Sequence, residues 1–301
     1  ALPFPPSPGT ITVMISDSPA LLLIAGAGQY PLLVAKGARA AGVRRLAVLA
    51  LRGQACRAVR QTADECFQVG VGEVQRAFDW IHGLGIRDVM LAGQIHPTAL
   101  FRTRFDARAR ELMSHLNVKS AHSIFGLVAR ELEAAGLRVL PASTYMNDYL
   151  PAAGVLTARA PDARELADIA CGERAARAVG VADIGQTVVV RHGMVLAVEA
   201  FEGTNAAIRR GARLGGPGAV VVKVARDGHD MRYDIPVIGA QTLRVLRRAR
   251  IRALAFQSRR TLLLDREEVV AGANRCGLSI VSLAHDLPTA PTRPPADGKV
   301  P

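Results

Sequence analysis

Short apolar runs alternate along this chain with longer segments whose apolar positions recur every three or four residues. LLLIAGAG reads as a strand entering a glycine turn, and PLLVAKGARAAG as a helix stopped by Gly42. RRLAVLAL follows as a strand, VGEVQRAFDWIHGLG as a helix ending in glycines, and RDVMLAGQI as a third strand. Another helix closes at ELEAAG and leads into the strand LRVLPAS. Strand and helix in strict alternation, with short glycine-marked connections, predict a Rossmann-like, doubly wound parallel sheet over residues 21–148.

Periodicity lapses in YLPAAGVLT, so a linker is placed at 149–160 and a second domain at 161–285. That domain opens with the helix ARELADIACGERAARAVG. QTVVVRHG and MVLAVEAFEG then read as a hairpin turning at Arg191-His192-Gly193. AVVVKVA, a helix from about Ala240 to Ala249, ALAFQS and a last helix–strand pair through VSL follow. One antiparallel pair among parallel elements makes this a mixed α/β domain. Residues 1–20 and 286–301, rich in proline and polar residues, read as loose tails.

Half of the 301 residues are apolar, enough for sizeable cores. Lys and Arg exceed Asp and Glu by 38 − 26 = 12. Such a surplus suits anionic partners: nucleic acid, acidic headgroups or a phosphorylated substrate. It is spread without a basic tail or interleaved aromatics, which argues against a nucleic-acid module. Cys56, Cys66, Cys171 and Cys276 are scattered, as in a reducing cytosol. ALPFPPSPG lacks the pattern of a signal peptide, and no apolar run reaches the length of a membrane span. A soluble cytoplasmic protein is expected.

Four places bear chemistry. In IAGAGQYP the turn Gly26, Gly28 and Gln29 between strand and helix lets backbone N–H groups approach a phosphate. Pro31 stands where a dinucleotide fingerprint needs its third glycine, and no acidic residue lies between Asp17 and Asp64. Arg52, able to meet a 2′-phosphate, keeps an NADP-dependent oxidoreductase as the weaker rival. Gln94 and His96 fall at the end of the third strand, where ligands of open sheets bind. In VLAVEAFEGTN, Glu199 and Glu202 stand three apart at a strand end. Alternation puts Glu199 on one face with Val195 and Ala197, and Glu202 on the other face or in the turn with Gly203 and Thr204. Two such carboxylates hold a divalent cation or position water, unless one pairs with Arg209 or Arg210. In VKVARDGHDMRYDIPVIG, Lys223 suits a phosphate and Asp234 precedes a stiff Ile-Pro. Asp227-Gly-His229 imitates a metallophosphatase start without that fold's later segments. The basic helix TLRVLRRARIRALAF, with Arg244, Arg247 and Arg248, suits either water or anionic headgroups.

Taken in order, LIAGAGQYP, LAGQIHP, ADIGQTVVV, VLAVEAFEGTNAAIRR and YDIPVIG resemble the UDP-2,3-diacylglucosamine pyrophosphatases of the LpxI type, from about Leu21 to about Leu283. The resemblance implies hydrolysis of UDP-2,3-diacylglucosamine to UMP and 2,3-diacylglucosamine 1-phosphate in lipid A biosynthesis, by water at the α-phosphorus with magnesium. It implies two domains with substrate between them, a homodimer, and peripheral contact at the cytoplasmic face of the inner membrane. Asp234 falls on the family's catalytic aspartate and, with Glu202, is the expected metal ligand. Gly26, Gly28, Gln29, Gln94, Gln186, Glu202, Gly203, Thr204 and Lys223 are expected to bind substrate. The chain departs from the family's pattern at His122, Ser123 and Asn205, where aspartates are common. A catalytically altered nucleotide-lipid binding protein on the same scaffold is the non-enzymatic alternative.

Overall fold

The computed structural model describes residues 20–95, 103–114, 121–225, 231–232 and 235–284, with backbone only at 121–123. The chain divides into two compact units. The first holds residues 1–149 and 228–235, and the second holds 150–227 and 236–301.

The first unit runs β1 (Ala20–Ala25), α1 (Tyr30–Ala40), β2 (Arg45–Leu51), α2 (Arg57–Gln61), β3 (Glu65–Val69), α3 (Val74–Leu84), β4 (Asp88–Ala92), α4 (Ala107–Ser114), α5 (Ala121–Ala134) and β5 (Arg138–Val139). Its described strands form one parallel sheet in the order β3-β2-β1-β4-β5. Helices on the faces bury the central strands on both sides, so β1, β2 and β4 are apolar almost throughout. Leu22, Leu49 and Val89 pack with Phe78, Ile81 and Leu132. RDVMLAGQI, expected as the third strand, is the fourth. The strand in between, Glu65–Val69, lies at the sheet edge and carries exposed Cys66 and Gln68, so it lacks the apolar run that marks its neighbours. Buried Asp88 accepts from Arg138 Nε and Nη2 at 2.7 and 2.8 Å, fastening the short β5 to β4. Residues 231–232 belong here: the Met231 carbonyl accepts from the Ala142 N–H, and Arg232 pairs with Glu133.

The second unit runs β6 (Gly154–Val155), α6 (Ala163–Val181), β7 (Thr187–Arg191), β8 (Met194–Val198), α7 (Thr204–Gly215), β9 (Val220–Lys223), β10 (Val237–Ile238), α8 (Ala240–Arg248), β11 (Ala253–Gln257), β12 (Leu262–Leu263), α9 (Arg266–Arg275) and β13 (Ser279–Leu283). The main sheet has the order β6-β13-β11-β9-β7-β8. Strands β9, β11 and β13 are parallel, while β7 is antiparallel to β9 and to β8. The expected hairpin turns on His192 and Gly193, at φ 52° and 74°, which suits a tight two-residue connection. Asp168 of α6 accepts from both of their N–H groups, at 3.0 and 2.6 Å. A capping box starts α6: Asp162 accepts from the Arg164 and Glu165 amides, and Glu165 accepts from the Asp162 amide. One face of the sheet buries Val188, Val190 and Val222 with Ile169 and Ala176 of α6, and the other buries Val189 and Val221 with Ile208 and Leu246.

Candidate active site

Strand order brings together what the sequence scatters. β7 begins, and β9 and β11 end, at one edge of the second unit's sheet, with Thr187 opposite Lys223 and Phe256 opposite Lys223 across the ladders. Polar residues interrupt the apolar strands at this edge: Thr187, Lys223 and Gln257 are all buried. Ligands of open sheets bind at the carboxyl ends of parallel strands, and this is that end of β9 and β11.

Lys223 is only 4% exposed. Its ammonium donates to Thr204 Oγ1 at 2.9 Å and to Thr187 Oγ1 at 3.3 Å, and stands 3.9 Å from Glu199 Oε2. Thr204 donates its own proton to Glu199 Oε1 at 2.7 Å. A lysine has no acceptor and an ionised carboxylate no donor, so the hydroxyl is oriented: it accepts from Lys223 and donates to Glu199. A buried charge is tolerated when paired and hydrogen-bonded, and this one is. Two buried oxygens at this edge, Glu199 Oε2 and Gln186 Oε1, have no hydrogen-bond partner within the described chain. Buried polar atoms left in this state mark a place for water, an ion or a ligand.

Thr204 also begins α7. Gly203 precedes it at φ 79°, a left-handed conformation that glycine adopts without a Cβ clash, and no side chain caps this helix end. An uncapped helix start directs backbone N–H groups and the positive end of the helix dipole outward, beside the Lys223 charge. Asn205 lies in this first turn.

The two glutamates take different partners. The β7–β8 pairing skips Leu196, with Val190 opposite Val195 and Val189 opposite Ala197. Alternation therefore breaks between Val195 and Ala197 but carries from Ala197 to Glu199, on the face of Val189, Val221 and α7. The Glu199 N–H donates to the Thr187 carbonyl at 2.8 Å, and its side chain joins the lysine cluster. Glu202, expected to wall a metal site, instead accepts from Arg210 Nη2 at 2.6 Å and from the Ala200 amide at 3.2 Å. The Arg210 guanidinium holds its carboxyl below the usual range.

In the first unit the turn after β1 stands beside the end of β4, where the strand order reverses. The Gly26 amide donates to the Ala92 carbonyl, and Ala27 and Gln94 exchange hydrogen bonds of 2.7 and 3.1 Å. A Cβ on Gly26 would lie 2.6 Å from the Gln94 carbonyl, so close backbone approach alone demands this glycine. Gly28, Gln29 and Gln94 are exposed at the turn, ahead of an α1 start with no side-chain cap. Pro31 sits in the first turn of α1, where its missing N–H costs nothing. Tyr30 is buried, its hydroxyl donates to the Ala142 carbonyl, and burial pushes it far above its ordinary range. Arg52, the residue that kept an NADP site in play, donates to Glu73 Oε2 at 3.0 Å, so a carboxylate already holds it.

Asp234, His96, Asp227 and His229 lie outside the described residues, as do the side chains of His122 and Ser123. Among the described residues no three His, Cys, Asp or Glu side chains converge as a metal cage. Magnesium does not require one: it is commonly held by one or two carboxylates together with substrate phosphates and water. Glu199, whose Oε2 accepts no hydrogen bond and lies 3.9 Å from the Lys223 ammonium, fits that donor set.

Thr187 and Gln257 are the residues that sequence reasoning missed. Their signal is a polar side chain at the terminus of an otherwise apolar strand, as in QTVVV and ALAFQ.

Two family models match the chain. The LpxI N-terminal domain matches residues 20–149 and the LpxI C-terminal domain residues 152–281. The chain is also similar to the UDP-2,3-diacylglucosamine pyrophosphatase LpxI of Caulobacter vibrioides. They are 32% identical over 276 residues, covering 87% of this chain and 96% of that relative.

Proposed function

Because the chain belongs to the LpxI family, we propose that it hydrolyses UDP-2,3-diacylglucosamine in lipid A biosynthesis, releasing UMP and 2,3-diacylglucosamine 1-phosphate. The observation that supports the chemistry is the buried Lys223, held by Thr187 and Thr204 beside the uncapped start of α7. A pyrophosphate concentrates negative charge, and that charge shifts between phosphoryl oxygens as the anhydride breaks. A fixed ammonium and helix-start amides in a buried setting offset it without reorganising during the reaction.

Water attacks the α-phosphorus: a bond forms from its oxygen to that phosphorus, and the bond to the bridging oxygen breaks. UMP and the sugar 1-phosphate are the products. Asp234, on the strength of the resemblance, orients the attacking water. Magnesium, when bound, would neutralise charge on the phosphoryl oxygens; the resemblance gives Asp234 as a ligand, and in the second unit Glu199 would suit it. Glu199 also holds Thr204 in the orientation that accepts from Lys223. The resemblance carries substrate contacts at Gly26, Gly28, Gln29 and Gln94 in the first unit and, separately, at Gln186 in the second.

The diacylated substrate implies peripheral contact with lipid at the cytoplasmic face of the inner membrane. The exposed Arg244, Arg247 and Arg248 of α8, opposite buried Leu243, Val245 and Leu246, support that reading. No helix among the described residues is long and apolar enough to cross a membrane. A homodimer is carried by the resemblance. Hydrolysis in ¹⁸O-labelled water tests the chemistry: label in UMP is expected, and label in the sugar 1-phosphate overturns attack at the α-phosphorus.

A further inference from the structure

A second cluster of positive charge lies toward the other end of α7. A groove of about 370 Å³ opens between α7 and α8, over Ala212 and Val245, and carries Arg209, Arg213, Arg248 and Arg250 on its walls. At 1.5 Å per residue, Arg213 is about 13 Å along α7 from Thr204, so the groove is separate from the Lys223 cluster.

Several arginines elsewhere in the chain are neutralised. Arg39, Arg45, Arg52, Arg76, Arg138 and Arg210 each meet a carboxylate at 3.0 Å or less. None of the four groove arginines pairs with an acidic side chain among the described residues, and no acidic residue lines the groove. Capping does not account for them. The Gly215 carbonyl that ends α7 is taken by Arg191. The Val245, Leu246 and Arg247 carbonyls that end α8 accept from the amides of Ala249, Ile251 and Arg250. Two helix C-termini bring only fractional negative charge against four full positive charges. Arg250 moreover sits at φ 52°, where glycine or asparagine is the usual helix terminator.

We infer that this groove is a binding site for a phosphate-bearing anion, distinct from the hydrolytic site. Guanidinium groups grip phosphate oxygens in paired hydrogen bonds, and several facing one another without carboxylates lack that partner. The anion has two sources with the same chemistry, a free phosphorylated metabolite or the headgroup of an anionic lipid. The inference does not depend on the role given to Lys223.

Titration calorimetry of inorganic pyrophosphate, without divalent cation, tests it on four full-length chains. They are the unsubstituted protein, Arg213→Gln/Arg248→Gln, the charge-matched Arg164→Gln/Arg266→Gln, and Lys223→Met. The groove variant is expected to bind about tenfold or more weakly, while the charge-matched and Lys223 variants keep a site of undiminished affinity. Where Lys223→Met fails to fold, Thr204→Val takes its place. Binding that is insensitive to the groove substitutions, equally weakened in the charge-matched variant, or lost only with Lys223 or Thr204 overturns the inference. A parallel arm sediments the chains with phosphatidylcholine vesicles containing phosphatidylglycerol. Vesicle binding and pyrophosphate binding lost together, and only in the groove variant, assign the site to headgroups. Pyrophosphate binding lost there with vesicle binding unchanged assigns it to a free phosphate. No binding of either probe by the unsubstituted chain overturns the inference.

Discussion

Replacing Lys223 by methionine keeps most of the side-chain volume and removes the charge that organises the sheet edge. The ammonium's bonds to Thr204 and Thr187 are lost, and Glu199 is left with one donor and no nearby cation. Breaking a buried pair by deleting one partner costs about 3–5 kcal/mol. Glu199 has a side chain 12% exposed and its partner stands at 3.9 Å, which places the expected loss at the lower end, about 3 kcal/mol. The catalytic loss is separate: one preorganised group stabilising developing charge is worth about 10²–10³ in kcat. Urea unfolding gives the first quantity, and UMP release from UDP-2,3-diacylglucosamine gives the second. Thr204→Val combined with Lys223→Met closes a double-mutant cycle, in which the shared hydroxyl predicts strong non-additivity. Unchanged turnover in a folded Lys223→Met chain, or additive effects with Thr204→Val, refutes the reasoning.

Further outcomes are expected. Glu202→Gln removes a half-exposed ion pair with Arg210, so stability falls by less than about 1 kcal/mol and turnover survives. A turnover loss as large as that of Lys223→Met contradicts this division between the two glutamates. Asp64, Glu73 and Glu202 have depressed carboxyl pKa values. Asp64 and Glu73 are held down first by backbone amides, of Leu46 and Gly70, and Glu202 by Arg210. Groups lowered in the folded state bind fewer protons than in the unfolded chain. Their contribution is therefore present above the ordinary carboxylate range and lost as pH falls through the depressed values, which urea unfolding from neutral to acid pH measures. Asp168→Ala strands the His192 and Gly193 amides and removes two charge-assisted bonds, for a loss of about 3 kcal/mol in urea unfolding. Gly26→Ala forces a Cβ to 2.6 Å from the Gln94 carbonyl and lowers stability by about 1–3 kcal/mol.

The doubly wound first unit and the hairpin of the second were legible in the sequence, because buried parallel strands and a Gly-marked turn leave local patterns. Edge strand Glu65–Val69 was not, since only one side of it is covered and its apolar run is broken. At the site, Lys223 and Thr204 stood out as residues suited to phosphate, but their meeting did not. Thr187, Thr204 and Lys223 come together through the order β11-β9-β7, a long-range pairing that no local period encodes. The glutamates were read through strand alternation, which holds only while the strand continues. Alternation from Ala197 carries Glu199 onto the face of Thr187 and Lys223, into the lysine cluster, whereas Glu202, in the turn beyond the strand, goes to Arg210.

The central claim is tested most directly by UMP release from UDP-2,3-diacylglucosamine with magnesium, measured for the unsubstituted protein beside Asp234→Ala. The account predicts UMP and 2,3-diacylglucosamine 1-phosphate in equal amounts from the first and a loss of turnover in the second. Binding of the substrate without cleavage, under any divalent cation, would contradict it and leave a nucleotide-lipid binding protein on this scaffold.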